Sequence, residues 1–360
     1  MSRMLTWFRR KADPDVADGT FGVSIAGGGP TLRVPSGDFL LAAALAQGLG
    51  YPHNCRVGTC GSCKTRLVSG KIKGMMDFAL SPLTAEELRA GYVLACQSKV
   101  RSDLIIEVAL NAAVVATPQK LDARISWVER LPGDVLHVQL ALAAPLVFGA
   151  GQHAELGIEG FEPVRIYSFC DAPRPGGNRD VSFLIKRLPG GLFSERLFRD
   201  AVVGMPMRVH GPFGQLGAAE PDASAVCVAG GTGLAPMLSI VRHRLAASAT
   251  ARFTLLLGVR AQADHFAARL LEAVMQEAGG RVAVEVVLSD EPADSGWTGP
   301  RGLVADALAA RHVAAADCAF VCGGQGMVHA ARQRLVALGI PPHRIHVDTF
   351  LPSAGRCAAR

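Results

Sequence analysis

Three textures of hydrophobic and polar alternation follow one another along the chain. Over residues 19–110, short strand-like runs surround one helical stretch at 39–49, so a small α+β domain is expected. Over 121–216 the runs are short and alternating, as in Val135-Leu136-His137-Val138-Gln139-Leu140 and in 181–187, with Pro and Gly between them. Such a texture suits a small antiparallel β-barrel. From 225 onward, apolar runs at 225–229, 253–257, 282–288 and 319–322 alternate with helical patterns at 236–246, 265–278, 304–310 and 327–338. Buried strands alternating with helices imply a doubly wound parallel sheet. The expected domains are therefore 19–112, 120–218 and 222–350. A stretch at 111–119, without periodicity and carrying Thr117-Pro118, reads as the first linker.

Composition narrows the class. Apolar residues form 49% and charged residues 19% of 360 positions, the profile of a folded chain of two or three domains. Apolar runs are broken well short of a spanning helix, and 1–11 has no apolar segment for a secretory signal, so cytoplasmic residence is expected. The formal charge of +6 favours an acidic partner, but no Lys/Arg run with interleaved aromatics suggests nucleic acid. Arg9-Arg10-Lys11 behind Leu5, Trp7 and Phe8 could make peripheral membrane or partner contact, although a solvated terminus is the favoured reading.

Nine cysteines in such a chain ask for a metal or a packing role rather than a disulfide framework. Cys55-x4-Cys60-x2-Cys63 is followed, after 32 residues, by Cys96, the plant-type spacing of a 2Fe-2S cluster. Gly58 and Gly61 let one tight loop offer three thiolates, and a strand-like 92–96 delivers the fourth. Zinc also accepts four thiolates, but zinc sites usually present two close Cys pairs. Cys170, Cys227, Cys318 and Cys357 read as small buried hydrophobes.

Two further patterns concern dinucleotides. Arg165-Ile166-Tyr167-Ser168 ends a strand-like run, and 22 residues later Gly190-Gly191-Leu192-Phe193-Ser194 opens a helix. A flavin dinucleotide needs a cation for its pyrophosphate, an aromatic wall and a hydrogen-bonding group at the ring, which Arg165, Tyr167 and Ser168 can supply; the Gly-Gly turn adds backbone N–H groups at a helix start. Gly230-Gly231-Thr232-Gly233-Leu234-Ala235-Pro236 then follows a strand directly, a strand–turn–helix form suited to a dinucleotide phosphate, though without an acid ending the next strand. A second turn, Cys322-Gly323-Gly324-Gln325-Gly326-Met327, would lie on the same carboxyl edge. The acidic loop Ser289-Asp290-Glu291-Pro292-Ala293-Asp294 would repel an extra phosphate, so NADH is favoured over NADPH, with Arg260 the one cation that could grip a ribose phosphate.

Taken in order, these motifs resemble the ferredoxin-NADP reductase superfamily, and within it the bacterial oxygenase reductases with an N-terminal plant-type 2Fe-2S ferredoxin. The likeness spans about 19–350 and includes Pro52-His53-Asn54-Cys55, the run from Val226 to Pro236, and Asp348-Thr349-Phe350. It implies a β-grasp ferredoxin domain, an FAD-binding barrel and an NAD-binding α/β domain. It further implies that Cys55, Cys60, Cys63 and Cys96 bind the cluster; that Arg165, Tyr167 and Ser168, with Gly191, Leu192 and Ser194, bind FAD; and that Gly231, Thr232, Gly233, Pro236, Arg260, Gly323 and Met327 line the nicotinamide dinucleotide site. Cys322 would lie near the nicotinamide and Phe350 over the flavin ring. Gly324-Gln325-Gly326 departs from the proline-rich turn often found after Cys-Gly. The implied activity is NADH-dependent electron transfer through FAD and the cluster to a separate oxygenase, a non-haem iron hydrocarbon or aromatic monooxygenase, with no catalytic base or nucleophile. The same order suits the reductase of a ring-hydroxylating dioxygenase or of a deoxysugar dehydrase. From other classes, a zinc-containing binding protein and a redox sensor without turnover remain as alternatives.

Overall fold

The computed structural model describes residues 19–74, 82–110, 116–217 and 223–350. The basic N-terminal cluster, residues 111–115 of the expected linker and everything after Phe350 lie outside the described residues. The chain divides into two compact units, Met1–Val114 and Val115–Arg360.

In the first unit the elements run β1 (Thr20–Ile25), β2 (Thr31–Pro35), α1 (Leu40–Ala46), β3 (Lys64–Ser69), β4 (Ile72–Gly74), α2 (Ala85–Arg89), β5 (Tyr92–Leu94), β6 (Ser98–Val100) and β7 (Leu104–Glu107). Five of them form a sheet in the order β2-β1-β7-β3-β5, with β1 and β7 parallel, and β4 and β6 pair as a separate ribbon. Alternation works as the sequence implies. Leu32 and Val34 of β2 are buried, and Leu40, Leu41, Ala43 and Ala44 turn one face of α1 into the same core. α1 stops short of the expected 49 because Gly48 takes φ of 74°, a left-handed turn that a helix cannot contain.

The second unit opens with the barrel sheet. Its elements are β8 (Gln119–Leu131), β9 (Val135–Leu146), β10 (His153–Ile158), β11 (Phe161–Ser168), β12 (Asn178–Lys186), α3 (Leu192–Asp200) and β13 (Pro206–Phe213). The six strands are antiparallel in the order β11-β10-β13-β8-β9-β12 and enclose a core of Phe148, Phe169, Phe183 and Phe193 among aliphatics. The remaining elements are β14 (Ala225–Gly230), α4 (Leu234–Ala247), β15 (Phe253–Val259), α5 (Ala268–Ala278), β16 (Val282–Leu288), α6 (Val304–Ala307), α7 (Ala310–Val313), β17 (Cys318–Gly324), α8 (Gln325–Ala337) and β18 (Ile345–Phe350). The strands form a fully parallel sheet ordered β16-β15-β14-β17-β18. The chain builds outward from β14 in one direction and then crosses to β17. A topological switch therefore falls between β14 and β17, and ligands of open α/β sheets bind beyond the carboxyl ends of the strands at such a point.

Two helices differ from expectation. The stretch 304–310 resolves into α6 and α7 because Leu308 and Ala309 are extended, and His312 Nδ1 accepts the Ala309 N–H at 3.1 Å to start the second piece. The stretch from 265 becomes helical only at Ala268, after a tight turn at Gln262–Asp264.

Candidate functional site

The cysteine loop is a cage built by backbone geometry. Arg56, Gly58 and Gly61 take φ of 57°, 91° and 77°, so the chain reverses repeatedly between Cys55 and Cys63 and folds its amides inward. The N–H groups of Thr59 and Cys60 point at Cys55 Sγ, both at 3.4 Å, and those of Cys55 and Ser62 at Cys60 Sγ, both at 3.5 Å. Asn54 Nδ2 donates to Ser62 Oγ at 3.0 Å and braces the two ends of the loop.

Cys63 and Cys96 are joined by sheet register. β3 pairs with β5 so that Lys64 faces Leu94, and the Ala95 N–H donates to the Cys63 carbonyl at 3.1 Å. Cys96 follows in a one-turn 3-10 segment, which brings Cys63 Sγ and Cys96 Sγ to 3.3 Å. The expected strand thus ends at Leu94, two residues before Cys96. Behind Cys63, the fully buried Thr65 hydroxyl donates to the Cys63 carbonyl at 3.1 Å. The Tyr51 hydroxyl must therefore be the donor in its 2.6 Å bond to Thr65. All four thiols are buried and free of disulfides.

The sulfurs form two pairs, Cys55 with Cys60 and Cys63 with Cys96, and the pairs differ. Hydrogen bonds, first from the Cys60 side chain, hold the Cys55 thiol down at about 5, whereas the hydrogen bond to Cys96 and then burial push the Cys63 thiol up. Among the described residues, no three Cys, His, Asp or Glu side chains are close enough to hold one ion together. Two thiolate pairs with four N–H groups aimed at sulfur fit a two-iron cluster, which takes two thiolates per iron and carries negative charge for those amides to stabilise.

In the barrel, Ser168 ends β11 with its hydroxyl buried and without a hydrogen-bond partner, which leaves it available to a bound group. Tyr167 packs on Phe193 of α3 with ring centroids 5.8 Å apart, and burial raises its hydroxyl pKa. Arg165 Nη1 donates to the Val164 carbonyl at 2.9 Å. Gly190 takes φ of 73° and Gly191 caps α3 with no side chain in the way; a Cβ on Gly191 would meet the Leu188 carbonyl oxygen at 2.9 Å. Ser194 does not reach outward. Its hydroxyl accepts the Leu188 N–H at 3.0 Å and locks the turn, while Leu192 is exposed beside it. An orphaned hydroxyl, an aromatic wall and a bare helix start suit a flavin dinucleotide.

The parallel sheet places both glycine turns at the switch point. Ala229 of β14 faces Cys322 of β17, and a Cβ on Gly233 would sit 2.2 Å from the Cys322 carbonyl oxygen. Only glycine allows that approach. Met327 lies across the seam, since a Cβ on Gly230 or Gly323 would meet its Cε at 2.9 or 2.4 Å. Pro236 is buried in the first turn of α4 and Gly231 takes φ of 53°. Thr232 is half-buried within the first turn. Cys322 is wholly buried, which pushes its thiol up, with Asp348 adding to the effect. Phe350 ends β18 opposite Gly324, half-buried, and the Thr349 hydroxyl beside it is buried without a partner. Arg260 ends at an exposed ion pair, its Nε donating to Asp290 at 2.9 Å.

The sequence did not reveal how α4 is seated on the barrel. Ser239, wholly buried, donates to the Asp171 carbonyl at 2.6 Å and accepts the Gly151 N–H at 3.3 Å. Asp171 lies three residues beyond Ser168, so one hydroxyl ties the helix of the first glycine turn to the strand exit of the flavin motif. Gly151 and Gly217 leave room for Ile240, which a Cβ would meet at 2.8 and 3.1 Å. A serine inside an apolar helix gives no sequence signal of such a role.

Fold and site together define an iron-sulfur flavoprotein reductase with separate cluster, flavin and nicotinamide domains. Family models agree: a 2Fe-2S iron-sulfur cluster binding domain matches 23–101, an oxidoreductase FAD-binding domain 122–217 and an oxidoreductase NAD-binding domain 227–333. The chain is 35% identical to the Pseudomonas putida xylene/toluene monooxygenase electron transfer component, across 91% of this chain and 93% of that one. It is 31% identical to the reductase component of Ralstonia naphthalene 1,2-dioxygenase/salicylate 5-hydroxylase systems, across 89% and 96%. The crystal structure of an Amycolatopsis cytochrome P450 reductase superimposes with a TM-score of 0.75 at 30% identity, covering 93% of this chain and all of that one. The chain belongs to the ferredoxin-NADP reductase superfamily, among the oxygenase reductases with an N-terminal 2Fe-2S ferredoxin domain.

Proposed function

We propose that this reductase draws electrons from NADH and delivers them singly to a separate oxygenase of the non-haem iron hydrocarbon or aromatic monooxygenase type. The observation that carries the reading is the coexistence of a four-thiol cage in one unit with an orphaned Ser168 hydroxyl and a bare glycine turn in the other. When bound, FAD accepts the two electrons of a hydride and the two-iron cluster passes them on one at a time.

Each residue then has a definable task. Cys55, Cys60, Cys63 and Cys96 would hold the cluster, with the loop amides stabilising its charge. Ser168 would donate a hydrogen bond at the flavin ring, Tyr167 would wall it, and Arg165 with the N–H groups of Gly191 and Leu192 would neutralise the pyrophosphate. Ser194 acts through the turn that it locks. Gly231, Thr232 and Gly233 would receive the dinucleotide phosphate, Gly323 and Met327 would border it, and Pro236 fixes the start of α4. Buried Cys322 and terminal Phe350 would bound the nicotinamide and the flavin ring. Arg260 is held by Asp290, and Glu291 accepts the Gln262 N–H at 2.7 Å beside it, so the ribose end meets net negative charge and favours NADH.

No helix among the described residues is long and apolar enough to cross a membrane. The 35%-identical relative supports a monooxygenase partner; a dioxygenase is the competing outcome. The deciding experiment is NADH-coupled turnover with each purified oxygenase class. Product from the hydrocarbon monooxygenase supports the proposal. Product only from the dioxygenase overturns the choice of partner, and an NADH-inert protein overturns the whole reading.

A further inference from the structure

Tyr51 touches both ends of the cysteine loop. Its carbonyl accepts a hydrogen bond from Nδ1 of His53, two residues before Cys55, at 2.8 Å. Its hydroxyl donates at 2.6 Å to Thr65, two residues after Cys63. Thr65 stands on β3 opposite Val93 of β5, and its own hydroxyl goes on to the Cys63 carbonyl at 3.1 Å. That oxygen also accepts the N–H of Ala95, the residue before Cys96, at 3.1 Å. Two hydroxyls and a carbonyl thus form a directed chain from Tyr51 through Thr65 to Cys63, with both hydrogens pointing towards the cysteine.

Both side chains are wholly buried, and Tyr51 belongs to the same apolar core as Leu40, Leu41 and Ile106. A Phe and a Val would fill that space without taking two hydroxyls out of water, which costs free energy unless their hydrogen bonds are made. The chain makes those bonds, and successive links polarise one another. Around Cys55 and Cys60, backbone amides reach sulfur directly at 3.4–3.5 Å, whereas the hydroxyl chain acts on Cys63 through its carbonyl. Reduction adds negative charge to a cluster, and dipoles with their positive ends towards a ligand favour that charge.

We propose that Tyr51 is a positioning residue that acts through Thr65 on Cys63, and that this chain raises the reduction potential of a two-iron cluster in the cage. The proposal rests on the reading that Cys55, Cys60, Cys63 and Cys96 hold such a cluster. Tyr51 supplies neither an electron nor a proton. One electron enters the cluster, no bond forms or breaks, and the phenol alters only the energy of the added charge.

The test is a dithionite titration of the complete holoprotein, following the electron paramagnetic resonance signal of the one-electron-reduced cluster in the wild type, Tyr51→Phe, Thr65→Val and the double variant. Tyr51→Phe should make reduction about threefold less favourable, roughly 28 mV lower at about 59 mV per tenfold, with iron content and visible spectrum retained. Thr65→Val should shift the potential at least as far in the same direction, and adding Tyr51→Phe to it should change nothing more. A wild-type potential in iron-loaded Tyr51→Phe overturns the proposal, and so does an equal effect of Tyr51→Phe in the presence and absence of the Thr65 hydroxyl. A purely packing role would lower stability and leave the potential where it was. If Tyr51→Phe loses its iron, 3-fluorotyrosine in place of Tyr51 decides: this stronger donor should make reduction about twofold more favourable, and an unmoved potential overturns the chain. A wild-type protein with no such resonance signal and no iron overturns the cluster reading beneath it.

Discussion

At the thiol cage, three side chains of one loop converge with Cys96 from a separate turn, and the backbone bends so that they can. At the glycine turns the backbone itself would be the binding surface, and side chains are missing from it. The first arrangement places its amides around sulfur at 3.4–3.5 Å; the second brings two strand ends so close that a single Cβ would strike a carbonyl oxygen at 2.2 Å. One site is specified by what its residues are, the other by what they lack. Substitutions should therefore fail differently: loss of a ligand should silence one step and spare the fold, whereas gain of an atom should disturb the fold around the site.

The largest expected effect tests the first half of that contrast. Cys96→Ser should lower NADH-driven cytochrome c reduction on the order of 100-fold while NADH still bleaches the flavin. Undiminished cytochrome c reduction would show that electrons bypass the cage. Next, Gly233→Ala should cost the second unit about 1–3 kcal/mol through overpacking and depress kcat/KM for NADH, with the cluster's visible spectrum unchanged. A variant with wild-type NADH kinetics would mean that the close approach to Cys322 is not needed.

A smaller effect concerns the link between the flavin and nicotinamide motifs. Ser239→Ala removes a buried hydrogen bond worth about 1 kcal/mol and should lower the unfolding midpoint of the second unit by about 2–4 °C. It should also slow flavin bleaching in stopped flow without loss of FAD; an unchanged bleaching rate would confine Ser239 to packing. The smallest is Asp290→Asn, which releases Arg260 and should raise kcat/KM for NADPH roughly threefold by relieving charge repulsion. Unaltered NADPH kinetics would place the coenzyme preference elsewhere.

The same contrast explains what was legible in the sequence. Ligand spacing pointed to Cys55, Cys60, Cys63 and Cys96 because a cluster demands one residue type, and period and length announced the parallel sheet. The glycine turns were readable as turns, but the seat of Met327 over Gly230 and Gly323 was not, since a methionine near a glycine has no signature. Ser194 has an outward, ligand-facing reading in the sequence and proves to be an internal lock on Leu188, because a hydroxyl near a helix start serves either purpose. Helix ends were the weakest reading. Gly48 ended α1 early, and the extended Leu308 and Ala309 split one expected helix into α6 and α7.

Among the described strands β18 pairs only with β17, and it carries Phe350 at its tip, facing Gly324. Among the described strands it is the last to leave the ribosome, while the cluster unit emerges first and can fold on its own schedule. A nascent chain halted before Ile345 would already own its thiol cage but would lack the edge strand that carries Phe350. Iron could thus be loaded during translation well before the polypeptide is able to consume NADH.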